Sequence, residues 1–183
     1  VVLIAGNHEV TFDQDFVASG EHDVRVAGSA GVIDRLLEFG GGKVTYLQDA
    51  ETTVAGGIRI YGAPWQPTFG NWAFGVQRGP AIAEKWGAIP SGVDVLLVHS
   101  PPLGRGDLCR SGCRAGCADL LREVQGRVRP GFCVFGHIHE DPGASFDGTT
   151  HFVNASSVDS DYCAGERAPF VFDIPSKTAT TAA

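Results

Sequence analysis

Gly92-Val93-Asp94-Val95-Leu96-Leu97-Val98-His99-Ser100, an aliphatic run that stops at a histidine, decides the fold class. Short aliphatic runs bounded by Gly or Pro read as interior strands covered on both faces. The pattern occurs twice more. Val1-Val2-Leu3-Ile4-Ala5 leads into Gly6-Asn7-His8-Glu9, and Phe132-Cys133-Val134-Phe135 leads into Gly136-His137-Ile138-His139. Open α/β sheets collect ligand chemistry in the crevice beyond the carboxyl ends of their strands. The three turns are therefore expected to meet at one sheet edge, bringing together four of the six histidines with Asn7 and Glu9.

Outward from these runs the pattern alternates strands with helices, as in a layered α/β protein. Residues 31–39 (GVIDRLLEF) have helical spacing and stop at Gly40-Gly41-Gly42. Strands are predicted over 44–47 and 57–61, separated by the polar stretch 48–53, and 65–79 reads as a long functional loop. Helices are predicted over 80–86 and 115–128. Asp147-Gly148 between two apolar runs marks a hairpin. One more strand is predicted over 169–174, and the Thr- and Ala-rich tail from Pro175 is expected to fray.

The bulk properties fit a single soluble domain: 183 residues, 43% hydrophobic and 19% charged, with 25 glycines. Fourteen basic against 21 acidic residues leave a net charge of −7, and no basic run is present. That argues against a nucleic-acid partner. No apolar stretch reaches the roughly 20 residues that span a bilayer, so no membrane partner is expected, and the expected compartment is the cytoplasm. Cys109, Cys113 and Cys117, spaced by four, are predicted to line one face of a helix, with all five cysteines reduced.

Asn7, His99, His137 and His139 are the candidate metal ligands, since neutral imidazole and an amide oxygen suit divalent transition metals. His8 looks across the same crevice as a candidate general acid and, with Asn7, as a substrate contact. Glu9 is expected to orient this turn rather than to ligate. Trp65, Trp72 and Phe74 either pack the loop or wall a base-binding pocket. His22 and His151 read as ordinary polar residues, and the acceptor sequence Asn154-Ala155-Ser156 is expected to carry no glycan.

These ordered motifs resemble the calcineurin-like metallophosphoesterases. VVLIAGNHEVTFD (1–13), IRIYGAPWQP (58–67), VHSPPLG (98–104), VFGHIHE (134–140) and DGTTHFVNAS (147–156) are similar to the metallophosphoesterase domain-containing subfamily over residues 1–175. The resemblance implies a four-layer αββα sandwich and hydrolysis of a phosphodiester or phosphomonoester by two divalent ions drawn from Mn, Fe, Zn or Mg. It places Asn7, His99 and His137 on one ion and His139 on the other, with His8 at the phosphate. Two such ions about 3.5–4 Å apart activate a bridging water. The implied partner is a small phosphorylated substrate, with nucleotides among the candidates.

The family's Asp-x-His and Gly-Asp motifs, which supply the bridging carboxylate, are not present; Gly106-Asp107 sits in a polar loop. The chain is therefore expected to be the C-terminal portion (1–174) of one such domain, lacking its N-terminal strands. It would hold one partial metal site and be weak or inactive alone. Two other readings stand beside this: a non-catalytic nucleotide- or protein-binding module, and a mononuclear structural zinc site.

Overall fold

The computed structural model describes residues 1–20, 30–164 and 167–177. Its strands are β1 (Val2–Leu3), β2 (Thr45–Tyr46), β3 (Ala50–Val54), β4 (Ile58–Ala63), β5 (Gln66–Pro67), β6 (Gly75–Val76), β7 (Val95–Val98), β8 (Phe132–Phe135), β9 (Gly143–Phe146) and β10 (His151–Asn154). The helices are α1 (Gln14–Ser19), α2 (Val32–Phe39), α3 (Pro80–Gly87) and α4 (Ala118–Glu123), the last continued by a π-helical turn at Val124–Val128. The protein is α/β, built on a six-stranded sheet of order β3-β4-β7-β8-β10-β9.

The central strands β4, β7, β8 and β10 run parallel, and β3 and β9 close the edges antiparallel. Parallel strands need crossovers, and α3 and α4 supply them on one face. Trp86, Ile82, Leu120 and Val124 pack there against Leu96, Val98, Cys133, Phe135 and Phe152. On the other face β1 and β2 pair in parallel. Their close seat depends on Gly62, where a Cβ would lie 2.5 Å from that of Leu47 and 2.6 Å from Ile4 Cγ2. Because α2 packs against β2, the layers run helix, sheet, sheet, helix.

Several expectations are corrected. The polar stretch 48–53 holds most of β3, a strand that among the described residues pairs only with β4 and so needs no continuous apolar character. The long loop 65–79 contains the short parallel pair β5–β6. The helix predicted from 115 begins at Ala118, because Ala115 and Cys117 donate backbone N–H groups to Asp107 O and Pro101 O. Cys109 and Cys113 lie on no helix; they face each other across a tight turn in which Cys109 N–H donates to Cys113 O at 2.9 Å. All five cysteines are free thiols.

No strand forms at 169–174. This segment instead crosses the sheet face opposite α3 and α4 as an extended strap, with Phe172 stacked on Phe132 at 4.1 Å. The tail stays anchored as far as Lys177, whose ammonium lies 2.6 Å from Asp94. His22 and residues 178–183 lie outside the described residues.

Candidate metal centre and the cavity beside it

Because β4, β7, β8 and β10 are parallel, their carboxyl ends Ala63, Val98, Phe135 and Asn154 share one edge. His99 follows β7 directly and His137 follows β8 by one residue. The turn after β1 is closed by Glu9: its backbone N–H bonds Gly6 O, and its carboxylate accepts from Gly6 N at 2.6 Å. That carboxylate orients the turn bearing Asn7 and His8. Asn7 is buried, and its Oδ1 accepts from His99 Nε2 at 2.7 Å. The His99 ring lies directly over Gly6 Cα, where a Cβ would come within 2.4 Å of Cε1 and Nδ1.

His137 meets His99 edge to face, ring centroids 4.7 Å apart. It carries φ +69°, and Ile138 N–H bonds back to Gly136 O at 2.8 Å. This tight γ-turn of positive φ is rare and strained, as backbones at functional sites often are. Asn154 braces it: its buried amide donates to Ile138 O and Gly106 O at 2.8 Å and to Asp141 O at 3.0 Å. The glycosylation acceptor sequence is thus spent inside the fold, in line with the expectation of no glycan.

Burial, followed by the neighbouring histidines, pulls His99 down to about 3. Burial, followed by His139 and His8 and opposed by Glu140, pulls His137 down to about 4. Both rings are neutral at physiological pH, so each keeps one lone pair; that of His99 is on Nε2, beside Asn7 Oδ1, in the tautomer that carries its proton on Nδ1. His139 Nδ1 donates to Asp159 O at 3.0 Å, which leaves Nε2 as the free donor atom. His139 does not join the Asn7–His99 hydrogen bond; it packs edge-on against Tyr162, at 5.2 Å between centroids.

His8 lies between Trp72 and Tyr162, with centroids at 4.5 and 5.8 Å, and its Nε2 is 3.5 Å from the Tyr162 hydroxyl. Asn7, His8, His99, His137 and His139 all line one cavity of about 570 Å³, together with Trp72, Tyr162, Arg78 and Ser100. The predicted aromatic set divides. Trp72 walls the cavity, whereas Trp65 and Phe74 pack against each other in the core. Tyr162 belongs to none of the sequence motifs and reaches the cavity only through the fold. His151 stacks between Phe132 and Phe146 on the sheet, away from the cavity.

Asn7 O and the His99 and His137 nitrogens form a neutral three-atom donor set whose chemistry fits one divalent ion. Among the described residues no three His, Cys, Asp or Glu side chains group into a metal site. Asp107 offers no substitute. It is fully buried and bonded to Arg114 and to the backbone N–H groups of Gly104 and Gly116.

No protein-family model matches the chain. It is 46% identical to human metallophosphoesterase domain-containing protein 1 over 184 residues, 95% of this chain and 55% of that protein. It is 42% identical to the UPF0046 protein T07D4.2 of Caenorhabditis elegans over 185 residues, 95% of this chain and 46% of that one. The chain belongs with the metallophosphoesterase domain-containing proteins. It spans about half the length of these curated relatives. A solved crystal structure at 18% identity aligns with TM-score 0.50 over 82% of this chain and 65% of its own, a likeness of fold alone.

Proposed function

We propose that the protein carries the histidine side of a metal-dependent phosphoesterase centre. Asn7, His99 and His137 would hold one divalent ion and His139, through Nε2, would contribute to a second. The single observation that supports this is the convergence of Asn7 Oδ1 and the His99 and His137 rings, two of them charge-neutral by burial, at the edge of a cavity of about 570 Å³. Bound divalent ions supply Lewis-acid activation of water and charge neutralisation at phosphorus.

The chain's own residues do the remainder. His8, flanked by Trp72 and Tyr162 with the Tyr162 hydroxyl 3.5 Å from its Nε2, would protonate a leaving alkoxide. Asn7 and His8 contact the phosphoryl group. Trp72 and Tyr162 present flat faces to the substrate's organic part, which suits a nucleotide among small phosphate esters.

The test is titration of the full chain with Mn²⁺ and Zn²⁺, followed by hydrolysis of bis(p-nitrophenyl) phosphate. Binding that His99→Ala removes, and turnover that His8→Ala lowers about 10²-fold or more, are the expected results. A chain that binds neither ion overturns the proposal. Ion binding with no turnover, unaffected by His8→Ala, favours instead the binding-module reading, which the all-neutral donor set also supports.

A further inference from the structure

The histidines leave two polar members of the cavity lining unexplained. Ser100, the residue after His99, lies in that lining, 1% exposed, and its Oγ has no hydrogen-bond partner. Among the described residues only Gln66 Oε1 shares this condition, and Gln66 does not line the cavity. Buried hydroxyls are nearly always bonded, so an orphan in a cavity wall points to a ligand atom that answers it.

Arg78 lines the same cavity. Its Nη1 donates to Gly116 O at 2.9 Å and its Nη2 to Ala115 O at 2.7 Å. These carbonyls belong to the chain that pairs with the segment after Ser100, where Cys117 N–H bonds Pro101 O and Leu103 N–H bonds Cys117 O. The guanidinium is therefore fixed at two nitrogens by neutral acceptors, and no ion pair among the described residues includes Arg78. Among the described residues the cavity lining holds one permanent cation, Arg78, and one carboxylate, Glu140. In a chain of net charge −7, a planar fork with unspent N–H groups and an uncompensated charge is built for an oxyanion.

We propose that Arg78 and Ser100 form an oxyanion subsite in the cavity wall. The substrate then carries, beside the ester it is cleaved at, a second phosphate or carboxylate. This rests on the cavity being the substrate site, as above, but not on metal binding.

The test titrates the full chain, in EDTA at low salt, with inorganic pyrophosphate and separately with succinate, read by calorimetry and by tryptophan fluorescence, to which Trp72 in the lining contributes. Saturable binding is expected, weakened about tenfold or more by Arg78→Gln, less by Arg78→Lys and severalfold by Ser100→Ala. Tighter pyrophosphate binding assigns the second group as phosphate, and tighter succinate binding assigns it as carboxylate. Binding of neither, or wild-type affinity in both Arg78→Gln and Ser100→Ala with unchanged melting, overturns the proposal. Failure of the metal-centre reading looks different: Mn²⁺ and Zn²⁺ titrations are flat while the EDTA titration still saturates.

Discussion

Gly6→Ala isolates the geometry of the centre. The added Cβ would lie 2.4 Å from His99 Cε1 and Nδ1 and 3.0 Å from Cγ. Comfortable carbon contacts start near about 3.5 Å, so the ring must retreat by roughly 1 Å. The His99–Asn7 hydrogen bond, now 2.7 Å, then stretches to about 3.7 Å, beyond bonding range. Overpacking costs about 1–3 kcal/mol and the lost bond about 1 kcal/mol, while Gly→Ala returns about 0.5 kcal/mol of unfolded-state entropy. A net loss of about 1.5–3.5 kcal/mol lowers the melting temperature by about 3–14 °C for a chain of this size. Ligand displacement on this scale should weaken Mn²⁺ or Zn²⁺ binding by about 10–100-fold, a larger effect than the loss of stability alone would suggest. The assay is calorimetric metal titration beside a thermal melt. Gly87→Ala at the end of α3 serves as the control, since nothing lies within 4 Å of its added Cβ. A Gly6→Ala protein that binds metal within threefold of wild type and melts with it refutes the argument.

The metal-free protein should lose stability as pH falls from about 6.5 toward 4.5. His99 and His137 are held down to about 3 and 4 in the folded state, so only the unfolded chain takes up their protons in that window. The loss is on the order of a few kcal/mol, and denaturant melts at pH 7.5 and 5 that coincide would refute it. Asn154→Asp removes the donors to Ile138, Gly106 and Asp141 carbonyls and buries a charge. It should cost about 3–5 kcal/mol in a urea melt, against about 1–3 kcal/mol for Asn154→Ala. Trp86→Ala empties the contact between α3 and the sheet, where Nε1 also donates to Cys117 Sγ at 3.3 Å. A loss of about 3–5 kcal/mol with metal affinity unchanged in the remaining folded protein is expected.

What could be read in advance follows from where strands end. β7 and β8 announce themselves because buried strands need unbroken apolar runs, and the β9–β10 hairpin through Asp147-Gly148, where Asp147 caps the turn by accepting from Thr149 and Thr150 N–H. Asn7, His99 and His137 were predictable neighbours for the same reason, since each follows a strand into the shared edge. β3 was hidden because an edge strand pays for its place with backbone pairing to β4 rather than with side chains. The cysteine spacing imitated a helix, but buried Asp107, bonded to Gly104 and Gly116 N–H, folds that segment into a loop. Tyr162 and Arg78 reach the cavity through tertiary packing that no local pattern encodes.

The strap of residues 167–177 works as a drawstring. At one end the Arg167 guanidinium gathers the carbonyls of His139, Ser156 and Val158, and at the other Lys177 ties to Asp94 and, by its N–H, to Gly56 O. Any proteolytic nick or shortened form that ends before Arg167 unties the knot at His139 while leaving every histidine in the chain. Such a protein would keep its full complement of ligands and lose the register between them.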